Sequence, residues 1–194
     1  MKTVGILDYG VGNIASLKGA LEGLGYKVLI GATETSLSKV TTIFLPGVGS
    51  FPFAMDNLRQ LGMDKFLRIR FEAQDVEVIG ICLGMQLFFE HSEEGDCEGL
   101  GLIEGKVKRF AGRECHVGWN IVRPSENSIL SKNSGYYFNH SYYVECSSKV
   151  TLASSNYQTE FPVLVKENRF HGIQFHPEKS QNTGAQLLKT LIGA

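Results

Sequence analysis

Long apolar runs are missing from this chain of 194 residues. The longest, among them Thr42–Leu45 and Val76–Ile81, are the size of strands, whereas a helix needs roughly 20 apolar residues to span a bilayer. No membrane segment is therefore expected. The opening Met1-Lys2-Thr3-Val4-Gly5-Ile6-Leu7-Asp8 reaches glycine and an acid too early for a secretory signal. A surplus of charge is missing too: 19 Lys and Arg against 20 Asp and Glu leave a net charge of −1. Without a basic excess, neither nucleic acid nor an anionic membrane is an expected partner. Cysteine is scarce. The four, at positions 82, 97, 115 and 146, form no C-x-x-C pair, so free thiols in a reducing cytoplasm are expected rather than a disulfide framework. The one glycosylation sequon, Asn139-His140-Ser141, is then a chance match. No repeat, low-complexity tract or Pro/Gly linker divides the chain.

What is present is ordinary globular material, 43% hydrophobic and 20% charged, enough for the core of one domain. The first half alternates strand and helix patterns. Thr3–Leu7 reads as a buried strand, followed by the turn Asp8-Tyr9-Gly10-Val11-Gly12 and a helix capped by Asn13. Ile14, Leu17, Leu21 and Leu24 fall on one face of that helix, and Gly25 stops it. Lys27–Ile30 and Thr42–Leu45 are further strands, the latter running into Pro46-Gly47-Val48-Gly49. A helical stretch spans about Pro52 to Phe71 with a break near Gly62. Val76–Ile81 is a fourth strand, and a helix bearing Met85, Leu87, Phe88 and Phe89 is expected after it. Such alternation implies an α/β fold with a mostly parallel sheet between helices. The second half differs. Gly105–Phe110, Tyr136–Phe138, Tyr142–Cys146, Thr151–Ala153, Val163–Lys166 and Arg169–Gln174 read as short, partly antiparallel strands before a closing helix, about Asn182–Leu191.

Two motifs carry chemistry. Gly80-Ile81-Cys82-Leu83-Gly84 fits G-x-C-x-G, the cysteine form of a nucleophile elbow. A nucleophile on a sharp strand-to-helix turn needs a strained backbone, and flanking glycines let other segments pack close. The elbow places Cys82 at the carboxyl end of a strand, where open α/β sheets bind ligands, and at a helix N-terminus, whose partial positive charge stabilises a thiolate. The Leu83 amide then points to where an oxyanion forms. The alternative is a buried, inert cysteine at a tight turn. The second motif ends an alternating strand: Gly172-Ile173-Gln174-Phe175-His176-Pro177-Glu178. His176 and Glu178 lie two apart and can face one side, a base and the carboxylate that orients it. By itself this is also compatible with a polar surface turn.

Together, and in the chain order Cys, His, Glu, these motifs resemble the class I (triad) glutamine amidotransferases, over nearly the whole chain. The resemblance implies one amidotransferase domain over residues 1–194, glutamine as substrate, and Cys82, His176 and Glu178 as nucleophile, general base and orienting residue. It needs no metal or organic cofactor. It implies oxyanion donors at Val48 and Leu83, the former flanked by Gly47 and Gly49. Gln86 and Glu94 are expected on the glutamine head group, with His140, Ser141 and Tyr142 walling the site. Glu94 reads equally as part of a solvated acidic turn. One branch of the family is matched more closely, through Asp8–Asn13, Pro46–Phe51, Cys82–Gln86, Gly118–Asn120, His140–Tyr143 and His176–Ser180. In that branch the glutaminase is a separate subunit of histidine biosynthesis that feeds ammonia to a cyclase, a (β/α)8 barrel docked over the site. Asn13, Trp119, Tyr137 and Lys179 are then candidate interface residues, Trp119 being equally readable as a core aromatic. Two departures stand out, Asn139 before His-Ser-Tyr and Cys115-His116 before the Gly-Trp-Asn region. Both are expected to lie off the triad.

Competing readings remain. Gly10-Val11-Gly12-Asn13-Ile14-Ala15 fits G-x-G-x-x-A, with Glu34 about 20 residues on, as in a dinucleotide site. A cysteine hydrolase or peptidase could share the elbow, and a regulatory subunit could keep the fold without turnover. Cys115, His116, His140 and His171 match no common zinc spacing. The same glutaminase chemistry could also serve an amidated-sugar or vitamin pathway.

Overall fold

The computed structural model describes residues 2–112 and 115–193. In chain order its elements are β1 (Thr3–Leu7), α1 (Ile14–Gly23), β2 (Lys27–Gly31), α2 (Glu34–Leu37), β3 (Thr42–Gly47), α3 (Phe51–Gln60), α4 (Met63–Ala73), β4 (Glu77–Cys82) and α5 (Leu83–Gln86). There follow β5 (Phe89–Ser92), β6 (Cys97–Glu98), β7 (Ile103–Arg109), β8 (His116–Ile121), β9 (Arg123–Pro124), β10 (Gly135–His140) and β11 (Tyr142–Cys146). The chain closes with β12 (Thr151–Tyr157), β13 (Thr159–Glu167), β14 (Phe170–Ile173), a 3₁₀ turn at Pro177–Lys179 and α6 (Gln181–Gly193).

The main sheet has the order β2-β1-β3-β4-β14-β13-β12-β9. The five strands from β2 to β14 run parallel, and the last three add on antiparallel. Strand alternation sends side chains to two cores. On one face Leu7, Ile43, Leu45 and Val78 pack with α3, α4 and a four-stranded sheet of order β11-β7-β5-β6. On the other, Val4, Ile6, Phe44, Ile79 and Ile81 pack with Leu17 and Leu21 of α1 and Leu187, Leu188 and Leu191 of α6. A third unit, the antiparallel ribbon β8–β10, sends Tyr136 and Phe138 into that second core.

The α/β layout and the parallel strands match the sequence expectation, as do the Asn13 cap, which accepts from the Ser16 amide at 3.3 Å, and the break between α3 and α4 at Gly62 (φ 68°). Two elements differ. β3 continues through Pro46-Gly47. The helix expected after Cys82 is a single turn, α5, and Phe89 already begins β5. Leu87, Phe88 and Phe89 are all fully buried, so their run carries no periodicity to separate helix from strand. The strands β5, β6, β8 and β9 and the short helix α2 were not anticipated. Among the described residues no helix is long and apolar enough to cross a membrane, and all four cysteines are free.

Gly184 in α6 shows how tightly the closing helix seats on the turn carrying His176 and Glu178. A Cβ there would lie 1.9 Å from the Pro177 carbonyl oxygen. Gly to Ala inside a helix ordinarily stabilises by about 1 kcal/mol. Here overpacking against backbone, typically costing about 1–3 kcal/mol, outweighs that gain. We expect Gly184→Ala to lower the denaturation midpoint, read by urea unfolding; an unchanged or raised midpoint would contradict this packing.

Candidate active site

Register places the groups before any side chain is considered. In the parallel ladder Gly47 lies opposite Cys82, and Ile81 lies opposite both Pro46 and Ile173. The ends of β3, β4 and β14 thus form one edge, with Val48, Leu83 and Gln174 each a residue beyond a paired position. Cys82 is the last residue of β4, with φ 56° and ψ −110°. Such backbone in a non-glycine residue costs about 1–3 kcal/mol and persists only where its surroundings enforce it. They do so through glycines: a Cβ on Gly84 would sit 1.8 Å from the Leu45 oxygen, and one on Gly47 would sit 2.8 Å from the Gly84 nitrogen. The elbow and the end of β3 can interlock only because both residues lack side chains.

His176 follows β14, at the start of the 3₁₀ turn, and the Cys82 side chain is among the groups that raise its pKa. On its other side, imidazole Nδ1 lies 2.8 Å from Glu178 Oε1, with both side chains 3% exposed. Its main chain is held as firmly. The His176 amide donates to the Tyr137 oxygen (2.8 Å), and Ser180 Oγ donates to the His176 oxygen (2.6 Å) while accepting from the Tyr137 amide (3.0 Å). Burial opposes the charged imidazolium. The hydrogen bonds and charges of Cys82 and Glu178 outweigh it and raise the His176 pKa to about 10. Tyr9 is buried beside the site. Its hydroxyl donates to the Pro46 oxygen at 2.8 Å, and burial, with the charge on Cys82, pushes its pKa well up.

A cleft of about 250 Å³ opens over Cys82, small for a drug-sized ligand and in scale with one amino acid. Val48, Leu83, Gln86, Glu94, Ser141 and Tyr142 all line it, as do Gly49 and His140. Gly47 does not; it faces a smaller cavity with Asn13, His176 and Glu178. Glu94 is more than a solvated turn, since its Oε2 accepts from the Phe51 amide (3.0 Å) at the start of α3. Trp119 is 52% exposed and therefore not a core aromatic. Its ring meets that of Tyr137 edge-on at 6.4 Å, and Lys179 Nζ lies 5.8 Å from the Tyr137 ring centre, so three of the four candidate interface residues form one cluster. Asn13 sits apart from it, capping α1.

The two departures do not lie off the triad as expected. The Asn139 carbonyl is 3.8 Å from Cys82 Sγ, Cys115 Sγ is 3.7 Å from Asn139 Oδ1, and both residues line the cleft. The β8–β10 pairing folds them back over the thiol, a register not visible in the sequence. His116 and His140 form a buried chain behind the wall. The Tyr142 oxygen can only accept, so His140 Nδ1 carries a proton (2.7 Å) and its Nε2 accepts from His116 Nδ1 (3.0 Å). His116 Nε2 in turn accepts from Asn120 Nδ2 at 3.2 Å. Burial lowers the pKa of His140 to about 3 and of His116 to about 4, so both stay neutral. His171 is elsewhere, bonded to Glu77 at the far end of β4, and among the described residues no group of acids, histidines and cysteines is placed to hold a metal ion. In the glycine turn after β1 a Cβ on Gly12 would lie 3.1 Å from the Pro46 oxygen, and Glu34 pairs with Arg70 at 3.1 Å. Tyr9, Gln174, Asn139 and Cys115 were not singled out as site residues. For Gln174 a signal existed, because alternation puts Gly172, Gln174 and His176 on one face.

The pattern of the family described as "Glutamine amidotransferase class-I" matches residues 5–192. The chain belongs to the class-I glutamine amidotransferase family. Within it the chain stands with imidazole glycerol phosphate synthase subunits HisH. It is 43% identical to that of Staphylococcus aureus strain MRSA252 over 189 residues, covering 96% of this chain and 95% of that one. It is 39% identical to HisH 2 of Methanococcus maripaludis, covering 97% and 98%. A crystal structure of a glutamine amidotransferase superposes with a TM-score of 0.80 at 21% identity, covering 98% of this chain and 99% of that one. PurLQS from Thermotoga maritima superposes at 0.79 and 14%, covering 99% and 98%. These two likenesses concern the fold.

The raised His176 pKa has a consequence for stability. A base whose pKa is higher folded than unfolded stabilises fully below the unfolded value, here near the ordinary 6.5, and loses that contribution as pH rises through the folded value of about 10. We expect the thermal-stability advantage of wild type over His176→Asn to be greatest at about pH 6 and to vanish above about pH 10. A gap that widens with pH would contradict a protonated His176.

Proposed function

We propose that this chain hydrolyses glutamine to glutamate and ammonia and supplies the ammonia to a separate cyclase subunit, which makes imidazole glycerol phosphate and AICAR in histidine biosynthesis. The observation that carries the chemistry is the juxtaposition of a strained Cys82 (φ 56°) with the His176–Glu178 pair (2.8 Å) beneath a cleft of amino-acid size. The pathway rests on kinship with HisH subunits.

In this reading Cys82 passes its proton to His176, and the thiolate attacks the side-chain amide carbon of glutamine. The negative charge on the tetrahedral oxygen is held by the amides of Leu83 and Val48, which follow register-paired residues. Gly47 and Gly49 flank Val48 and allow its peptide to turn toward the oxygen. Imidazolium protonates the departing ammonia. The imidazole then takes a proton from water as it cleaves the thioester, and the thiolate is restored. Glu178 fixes the ring and stabilises its charge. Gln86 spends both N–H groups within the protein, leaving Oε1 to accept from the substrate ammonium, with Glu94 as its counter-charge. His140, Ser141 and Tyr142 wall the site. The whole chain acts as one domain. Its partner is a (β/α)8-barrel cyclase seated over the cleft, against Trp119, Tyr137 and Lys179, with Asn13 at the margin. The exposed apolar row Val117, Trp119 and Ile121, each more than half exposed, supports that placement, since contiguous exposed apolar surface marks protein contacts. Free thiols suit a reducing cytoplasm.

The test is glutamate release by wild type and Cys82→Ala, with and without a barrel cyclase and its nucleotide ligand. Release is expected to depend on Cys82, since removing a triad nucleophile costs several orders of magnitude, and to rise with the partner. Release that depends on Cys82 but ignores the partner would move the acceptor to another pathway, such as amidated-sugar or vitamin synthesis. No Cys82-dependent release would overturn the proposal.

A further inference from the structure

Gln174 is completely buried, and the mechanism above gives it no task. A buried carboxamide must satisfy two donors and an acceptor, so its partners reveal what it holds. Its Oε1 accepts from Gln86 Nε2 at 3.0 Å, and its Nε2 lies 3.8 Å from Cys82 Sγ. Which way the amide points is settled by the residues behind it. Gln86 Nε2 also donates to the Tyr142 oxygen at 2.9 Å. That oxygen accepts as well from His140, which His116 and Asn120 hold in one tautomer. If Gln86 were flipped, its own oxygen would face the Tyr142 carbonyl, which cannot donate. With Gln86 fixed, Gln174 must present oxygen to Gln86 and N–H to sulfur.

We propose that Gln174 is the fixed donor that holds the Cys82 thiolate, in addition to His176. The idea rests on Cys82 being the nucleophile. The neutral thiol has a different partner, the Asn139 carbonyl at 3.8 Å, to which S–H donates. Once that proton is on His176, the carbonyl offers sulfur only a negative dipole. The Gln174 N–H is then the neutral donor that remains, and a charge-assisted bond of this kind tightens as the acceptor gains charge. His176 cannot serve the same end throughout. It gives its proton to ammonia and regains one from water only as the thioester carbon is attacked, so its proton is spent on the leaving group and the nucleophile rather than reserved for sulfur. Gln174 has no proton to lose, so it holds the thiolate at both ends of the cycle. Its place follows from the fold: one residue past the Ile173–Ile81 pair, it lies beside Cys82 on the neighbouring strand.

The test uses iodoacetamide, with mass spectrometry following alkylation at Cys82 and at exposed Cys115 as internal control. Wild type is compared with Gln174→Met, which keeps the bulk and loses both hydrogen bonds, and with Gln174→Glu, which still accepts from Gln86 but offers sulfur no N–H. The pH at half-maximal Cys82 alkylation is expected to move upward in both, by about tenfold or more in proton concentration, the weight of one hydrogen bond to a charged group. Cys115 should be unmoved, which a general disturbance of the cleft would not produce. If Met at this position does not fold, Gln174→Leu, which also removes the N–H and adds no charge beside sulfur, decides. A Cys82 profile unchanged in a folded variant overturns the role of Gln174 alone. If alkylating Cys82 in wild type leaves glutamine hydrolysis intact, the nucleophile assignment fails first.

Discussion

Everything at this site depends on one steric fact: Gly84 stands where any side chain would strike the Leu45 carbonyl, 1.8 Å from an added Cβ. That contact locks the turn after β4 against the end of β3, and the turn can close only if Cys82 takes a left-handed φ. Strain of this kind is sustained by the surrounding sheet. The two flanking strands supply what the thiol needs. β3 brings the peptide beyond Gly47 on one side, and β14 brings Gln174 and then His176 on the other. The chemistry is thus a product of strand order. Three neighbouring parallel strands, distant in sequence, end at the same level, in the crevice at their carboxyl ends where open sheets of this type bind ligands.

Electrostatics divides the site into two halves. Around Cys82, His176 and Glu178 the charges are mutually compensated, and the imidazole holds its proton well above neutral pH. Around His140 and His116 burial does the opposite, and both rings remain neutral. The difference lies in partners. His176 faces a carboxylate and a thiol, whereas the wall histidines face a carbonyl, a carboxamide and each other. Rings of the same chemistry, on the ribbon and on the turn beside it, are set to opposite protonation states by what they touch.

Much of this was readable in the chain itself. The parallel strands, the elbow at Gly80–Gly84 and the His176–Glu178 spacing follow from local patterns, because a strand end, a glycine frame and an i, i+2 pair are short-range properties. The second half was less readable. Its strands pair over long separations, and the ribbon that lays Asn139 and Cys115 over the thiol depends on a register between β8 and β10 that no local signal specifies. The Gln86–Gln174 bond joins residues 88 positions apart, and the Gln174–Cys82 contact spans 92. Glutamine on the same alternating face as His176 hinted at a polar group in the site, but its partner could come only from the fold. The uniformly buried run from Leu87 to Phe89 misled for the opposite reason, since it offered no polar face to orient it.

Tyr137 belongs to two places at once. Its ring lies against Trp119 and under Lys179 on the outer surface, while its amide donates to Ser180 Oγ and its carbonyl accepts from the His176 amide. The main chain of His176 is thus held in part by the residue whose ring meets the outside. Between that surface residue and His176 stands one main-chain hydrogen bond, with no relay of side chains. Surface and interior engineering at this face are consequently not separable tasks: a substitution that shifts the Tyr137 main chain also reaches the imidazole behind it.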